Sequence, residues 1–398
     1  MTTISAISDG LGGYKPSYWP DGYLGADYNG TSYCFITPED MTNPDARVLA
    51  SPSQRIVQMV QTPILIPSDF FGMHFHRIYN NTTAWPTDLR PARVRGHDAG
   101  IRWQEIQPSN SGSYDWGRVD TWLSKVESMG AMPVFTVFGT PAWASSRPAE
   151  ASAYGINGLA AEPTNMSDLA NFVTAVANRY GTRIPFYEVW NEPNLTGFYT
   201  GTRAKLCDMV KTVSQAVKAV TPTVKVICPA ITSFTENAGS SGEVYLTAML
   251  TQQDTAATGT MLNWIDIIGV HLYRNAMVFP IYQMVQRIKN VVSAAGYGAL
   301  EIWDTESGIL SPFPTSFSDE VHLQILQRKI VSVACSGIKA HFWYSYDNGD
   351  MGFKGKQKII DAYMRVSDFL AGKTIISAVQ IMDGTTEVIR GDGAILVV

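Results

Sequence analysis

From about Phe70 to Leu370, short apolar runs alternate with longer stretches whose apolar residues recur every three or four positions. Eight short runs read as strands: Phe70–His76, Ala92–Arg95, Met132–Phe138, Pro185–Trp190, Val224–Cys228, Ile265–His271, Leu300–Asp304 and Ile338–Tyr344. They are rich in Val, Ile, Phe and Trp and mostly bounded by Gly, Pro, Asn or Asp, as strands are. Val119–Ser128, Ser167–Tyr180, Thr202–Val220, Val244–Gln252, Ile281–Ala295, Asp319–Cys335 and Gln357–Leu370 carry the helical period. Each strand after the first is followed by a helix, and no clear helix is read between Arg77 and Pro91. Such alternation indicates parallel strands joined by right-handed crossovers. Eight units over about 300 residues predict an α/β fold, a (β/α)8 or TIM barrel.

The two ends have a different texture. Residues 1–69 are rich in Gly, Pro, Tyr and Asp, with strand-like pieces only at Thr31–Thr37 and Arg55–Val60. They read as an irregular extension before a barrel at 70–371. Residues 372–398 hold two or three strand-like runs with turns at Asp383-Gly384 and Gly391-Asp392-Gly393. A small β appendage formed by the chain ends is expected. No internal repeat or low-complexity tract is present.

Composition narrows the function classes. Of 398 residues, 45% are hydrophobic and 16% charged, against ~25% charged in an average soluble protein. That is too apolar for a disordered chain. No apolar run reaches the ~18 residues of a membrane span, so no membrane insertion is expected. The net charge is -5, with no block of Lys or Arg, so a nucleic-acid partner is not expected. The 10 Trp, 18 Tyr and 16 Phe fill a core and also suit surfaces that stack on sugar rings. Cys34, Cys207, Cys228 and Cys335 are far apart without a CxxC pair, which favours free buried thiols over disulfides. The first residues show neither a basic nor an apolar signal-peptide region. The compartment stays open between cytoplasm and an export or release route. Asn-x-Ser/Thr triplets begin at Asn29, Asn80, Asn81, Asn165 and Asn194. A glycan on Asn194 would crowd the candidate site described next, which argues against a glycosylating compartment.

In a barrel of this kind, the C-terminal strand ends carry the active site. The fourth strand ends Tyr187-Glu188-Val189-Trp190-Asn191-Glu192-Pro193-Asn194, and the seventh ends Ile302-Trp303-Asp304-Thr305-Glu306. Glu192 and Glu306 thus stand at one mouth. Glycosidic cleavage needs two such groups: a protonated one for the leaving oxygen, and an ionised one to attack the anomeric carbon or activate water. Their separation decides between retention and inversion, and sequence does not report it.

These strand ends resemble the clan of retaining (β/α)8 glycoside hydrolases. Arg95 ends strand two, where the clan keeps an Arg near the nucleophile. Trp103 with Ile106-Gln107-Pro108 resembles the clan's Trp-x-x-Ile-Glu-Pro segment, with Gln107 replacing Glu. Thr140-Pro141-Ala142-Trp143-Ala144 resembles the Thr-Pro-x-Trp segment of family 39. His271-Leu272-Tyr273 resembles the His-x-Tyr whose Tyr bonds the nucleophile, and Trp343 ends strand eight where the clan places a Trp under the sugar. The resemblance covers about residues 70–370 and is closest to family 39, which includes β-xylosidases, α-L-iduronidases and bacterial exopolysaccharide glycosidases. It implies double displacement on an oligo- or polysaccharide, with Glu192 as acid/base, Glu306 as nucleophile and no metal or organic cofactor.

In that scheme Arg95 and Tyr273 favour ionised Glu306, and the apolar wall of Trp190 helps Glu192 keep its proton. Asn191 would bond a substrate hydroxyl, Trp143 and Trp343 would stack on sugar, and His74 and His76, joined by His97, would bond hydroxyls. For each histidine a core role satisfied by backbone is an equal alternative. Asp98 and Asp304 would either tune the carboxylates or pair structurally.

Two rivals remain. His74-Phe75-His76 on the first strand is also how a metal-dependent amidohydrolase site begins. That site wants a Lys on strand four and a His on strand five, and of its further ligands only His271 clearly fits. The other rival is a barrel that binds carbohydrate without cleaving it, and the presence of both glutamates argues against it. The sugar, the oligomeric state and endo or exo action are not legible, although the lack of a long accessory domain leans towards an open groove and endo action.

Overall fold

A computed structural model describes residues 56–60, 62–79, 87–235, 238–273, 278–309, 319–348, 351–381 and 386–398, and four strand segments before them. Those four make two antiparallel pairs, β1 (Ala6–Ser8) with β2 (Tyr14–Pro16) and β3 (Tyr33–Phe35) with β4 (Val48–Ala50). β5 (Ile56–Gln58) and β6 (Ile64–Leu65) follow.

Eight parallel strands then close into a barrel. They are β7 (Phe71–His74), β8 (Arg93–Arg95), β9 (Met132–Val137), β10 (Phe186–Val189), β11 (Lys225–Ile227), β12 (Ile267–His271), β13 (Glu301–Gly308) and β14 (Ala340–Tyr344). All eight expected strands are present, with ends shifted by a few residues. The largest shift is in β13, which runs past Asp304 to Gly308. Its register slips between Asp304 and Ser307 against β14, and a second slip lies between Val270 and His271 on β12. Such irregularities re-aim side chains at a barrel rim, and here they flank Glu306.

The helices are α1 (Trp103–Ile106), α2 (Gly117–Ser128), α3 (Met166–Tyr180), α4 (Arg203–Val220), α5 (Ser241–Leu250), α6 (Val278–Ala294), α7 (Asp319–Cys335) and α8 (Gln357–Leu370). α4 shows the logic. Leu206, Val210, Val213 and Val217 are buried, a helical spacing that turns one face to the strands. Its start is capped by the Thr202 hydroxyl, which accepts from the Lys205 amide. Between β7 and β8, residues 77–79 and 87–91 form no helix, and 80–86 lie outside the described residues.

The barrel interior is filled in layers. Val134, Phe186, Ile227, Ile267, Trp303, Ala340 and Phe342 form its apolar plug. Phe342 fits because β7 offers Gly72 opposite: a Cβ there would run into the Phe342 ring. Period two then places Arg95, Thr136, Glu188 and His74 one layer higher, above Arg93, Val134, Phe186 and Gly72. The layer beneath the mouth is therefore polar.

β15 (Thr374–Ile381), β16 (Thr386–Arg390) and β17 (Ile395–Val397) form an antiparallel sheet, with β5 and β6 pairing on β15. The chain ends thus build the expected β appendage. Cys207, Cys228 and Cys335 are free and buried, while the Cys34 side chain lies outside the described residues. Among those residues, no helix is long and apolar enough to cross a membrane.

Candidate active site

The turn after β10 is built by backbone constraint. Trp190 and Glu192 adopt φ of 68° and 43°, a left-handed region that costs a residue with a side chain about 1 kcal/mol or more. The turn is held on several sides. The Trp190 amide donates to the Val137 carbonyl, its indole to the Phe198 carbonyl, and the Glu192 amide to the Ala230 carbonyl. Asn194 closes it by exchanging two hydrogen bonds with the Thr232 backbone. Glu192 is left 8% exposed, facing His271, whose Nδ1 lies 2.8 Å from Oε1.

Glu306, also 8% exposed, receives two donors. Arg95 Nη1 donates to Oε2 at 2.6 Å and the Tyr273 hydroxyl to Oε1 at 2.8 Å. Arg95 Nη2 also donates to Asn191 Oδ1 at 2.8 Å, and Nε to Glu188 Oε2 at 2.6 Å. Single oxygens of Glu192 and Glu306 and a ring nitrogen of His271 all lie within 4.8 Å of one another. The structure thus brings Arg95, Asn191, Glu192, His271, Tyr273 and Glu306 into one constellation.

Electrostatics depart from the expectation for Glu306. Its carboxyl is pushed up to about 7: burial outweighs the pull of His271 and Arg95, and the Glu192 charge adds to the rise. Arg95 and Tyr273 therefore orient Glu306 without making it a stronger acid than usual. For His271, burial disfavours protonation, but Glu306 and Glu192 outweigh it and raise the imidazole. Glu306 and His271 thus influence each other's protonation within one buried cluster.

A second polar group lines the mouth beside the first. Asp98 accepts from Arg102 at 3.1 Å and from the Tyr344 hydroxyl at 3.1 Å, with His97 at 3.7 Å and His76 at 4.0 Å. The Tyr344 ring meets His74, His76 and Tyr273 edge-on. His74 is buried, its Nε2 2.9 Å from the Thr305 carbonyl, and burial followed by the Arg95 charge keeps it neutral. Asp304 is not part of the mouth. It bonds the Leu272 amide and lies 2.7 Å from His341 Nδ1, tying β12, β13 and β14 together.

The two expected stacking residues differ in their placement. Trp343 is 1% exposed and packs on Phe353 and His341. Ala340 and Phe342 point into the barrel, so Trp343 points out, and it is core rather than a sugar platform. Tyr344 holds the place at the mouth. Trp143 is half-buried; its indole donates to the Gln107 carbonyl and its ring meets Trp103 edge-on. It is anchored to the α1 segment and has no contact with the carboxylate constellation in the described network.

The metal reading does not find its donor set among the described residues. His74, with Nε2 on the Thr305 carbonyl, and His76, beside Asp98 and Tyr344, fall in no group of metal-ligand spacing. Among the described residues, the one His, Cys, Asp and Glu group of ligand spacing is Glu192, His271 and Glu306. There His271 Nδ1 faces Glu192, and both Glu306 oxygens already hold donors.

Sequence reading passed over Glu188, Thr136 and Tyr344. The signal for Glu188 was present: a carboxylate two residues from inward-facing Phe186 in an otherwise apolar strand.

Comparison with known proteins bears on the family and the fold. A family model described as Glycosyl hydrolases family 39 matches residues 88–294. Among solved structures, the chain resembles a glucosidase from Croceicoccus marinus, at 16% identity and TM-score 0.61, covering 84% of this chain and 74% of that one. It also resembles a family 39 enzyme from Xanthomonas axonopodis pv. citri, at 15% identity and TM-score 0.60, covering 84% and 72%. A family 39 β-xylosidase from Caulobacter crescentus matches at 18% identity and TM-score 0.59, covering 84% and 78%. At such identities the likeness establishes the shared barrel. No curated protein matches in sequence.

Proposed function

This chain belongs to glycosyl hydrolases family 39 and is a glycoside hydrolase, and we propose that it cleaves O-glycosidic bonds of an oligo- or polysaccharide with retention of configuration. The observation that carries the proposal is the approach of Glu192 and Glu306, with one oxygen of each within 4.8 Å. Retaining enzymes place their carboxyls ~5–5.5 Å apart, and inverting ones ~6.5–9.5 Å to admit a water.

Glu306 attacks the anomeric carbon as the bond to the leaving oxygen breaks. Glu192 passes its proton to that oxygen. Esterification of Glu306 removes its charge, so Glu192, now ionised, accepts a proton from water as the water attacks the same carbon. The C–O bond to Glu306 breaks and both groups return to their starting state. Arg95 and Tyr273 fix the attacking carboxylate, and Asn191 is held by Arg95 beside it. His76 and Tyr344 offer polar edges to sugar hydroxyls, with His74 buried behind them. The names of two structural neighbours, a glucosidase and a β-xylosidase, make aryl glucosides of both anomers and aryl β-xylosides the first substrates to try.

The test is release of reducing sugar from aryl glycosides and polysaccharides by wild type, Glu192→Gln and Glu306→Gln, each with and without EDTA. Activity that both substitutions abolish and EDTA leaves intact is expected. Activity that survives Glu306→Gln would overturn the assignment, and loss with EDTA would return the site to the histidines.

A further inference from the structure

We propose that Glu188 is a positioning residue for Glu306 that acts through Arg95: it pins the guanidinium from inside the barrel and takes up most of its charge, so that Arg95 meets Glu306 as an oriented donor more than as a counter-ion. The inference rests on the reading of Glu306 as the nucleophile and extends the machinery one layer below the mouth.

The side chains of Glu188 and Arg95 are both fully buried. Arg95 Nε and Nη2 converge on one oxygen, Glu188 Oε2, at 2.6 and 2.5 Å. The Thr136 hydroxyl donates to the same oxygen at 3.1 Å. The other oxygen, Oε1, is buried without a hydrogen-bond partner. A carboxylate so dry requires a paired cation, and Arg95 supplies it. The same guanidinium gives Nη1 to Glu306 and Nη2 to Asn191. One positive charge thus stands between two carboxylates. Burial works against that charge, and Glu188, ahead of Glu306, is what sustains it.

The arrangement has a functional consequence. An arginine fully available to Glu306 would fix the carboxylate and also drain its basicity. With Glu188 beneath it, Arg95 keeps the geometry while burial, the largest influence on Glu306, holds its carboxyl elevated. The titratable groups that act electrostatically on Glu306 from the other elements are Glu192, His271, Tyr273, Asp98, Tyr344 and Tyr154, which lies beside His97, and none changes in the variants below.

Glu188→Gln removes the charge and keeps the shape. Glu188→Met removes the charge without burying an amide and serves if the first variant does not fold. Thr136→Val deletes a hydrogen bond to the same carboxylate and leaves the charge, so it controls for packing. The primary readout needs no substrate: NMR titration of protein labelled at the glutamate side-chain carboxyl carbon, with the Glu306 signal assigned by its loss in Glu306→Gln. In either charge-removing variant the Glu306 midpoint is expected to fall by about one pH unit or more, the size of shift an uncompensated arginine produces. The acidic limb of kcat/KM on the best aryl glycoside is expected to follow, and Thr136→Val to leave both in place. A folded Glu188 variant with the wild-type midpoint overturns the proposal, as does an equal shift in Thr136→Val. A midpoint that falls while Glu306→Gln retains activity upholds the electrostatic link and instead rejects the nucleophile assignment.

Discussion

Tyr273 donates its hydroxyl to Glu306 Oε1 at 2.8 Å, leaving Oε2 to Arg95. The pair joins the segment after β12 to β13, just past the register slip that sets Glu306 opposite His271. A hydrogen bond to a charged group contributes ~1.5–3 kcal/mol. Tyr273→Phe is therefore expected to lower kcat/KM by roughly 10- to 100-fold. Because the bond favours the ionised carboxylate, its loss should also move the acidic limb of the profile to higher pH. A variant with wild-type rate and profile would show that the bond contributes nothing to catalysis.

Trp343 and Tyr344 are neighbours with opposite duties. Trp343 fills the layer between β14 and its helices, so Trp343→Phe is expected to cost ~1–3 kcal/mol of stability and leave KM near wild type. Tyr344→Phe removes a hydroxyl bonded to Asp98 at the mouth, so it should raise KM with little change in Tm. Thermal melts and Michaelis kinetics on both variants check this. A large KM effect from Trp343→Phe would restore it as a sugar platform.

The elevation of Glu306 to about 7 has a sign in stability. Between its ordinary value of 4.5 and 7, the folded state holds more proton than the unfolded one. Stability contributed by this group is full at low pH and falls as pH rises through that window. Glu306→Gln should remove the fall. Denaturant melts are expected to show the variant gaining on wild type, by on the order of 1 kcal/mol or more, between mildly acidic and mildly alkaline pH. A constant difference across the range would mean that Glu306 is not elevated.

Lys329 on α7 gives the opposite slope. It is buried, donates to the Gly308 carbonyl at 2.6 Å and lies over the rings of Tyr273 and Trp343. Burial pushes its ammonium down to about 7, against the pull of Asp304. Above that value the folded state holds less proton than the unfolded one, so the cost of burying the charge is relieved as pH rises from 7 towards 10.5. Lys329→Met is expected to flatten this rise in pH-dependent melts. A slope unchanged by the substitution would contradict the reading.

The barrel was legible because eight apolar runs alternate with amphipathic ones, and burial of strands on both faces leaves that signature. The same property hid the facing of individual residues. In β14, Ala340, Phe342 and Trp343 are all apolar, so no alternation marks Trp343 as outward. The end of β13 was hidden for the converse reason: Thr305, Glu306 and Ser307 read as loop, yet pairing continues through an irregular register. α1 is four residues long, too short for a helical period. Glu192 and Glu306 were legible because both stand beside sharp changes from apolar to polar sequence. The inward placement of Glu188 was legible, but its pairing with Arg95 was not, because the two meet only once β8 and β10 are set on either side of β9. The elevation of Glu306 depends on burial, which outweighs the cationic partner that the sequence does reveal.

The central claim is that Glu306 forms a covalent bond to the sugar while Glu192 manages the proton. An activated dinitrophenyl fluoro-glycoside, made with the sugar that the aryl-glycoside panel identifies, slows breakdown of the glycosyl-enzyme enough to trap it. Intact mass should rise by one fluoro-sugar, and peptide mapping should place the label on Glu306. Glu306→Gln should remain unlabelled. A label on another residue, or turnover of the parent glycoside with an inverted product and no labelled enzyme, would contradict the account.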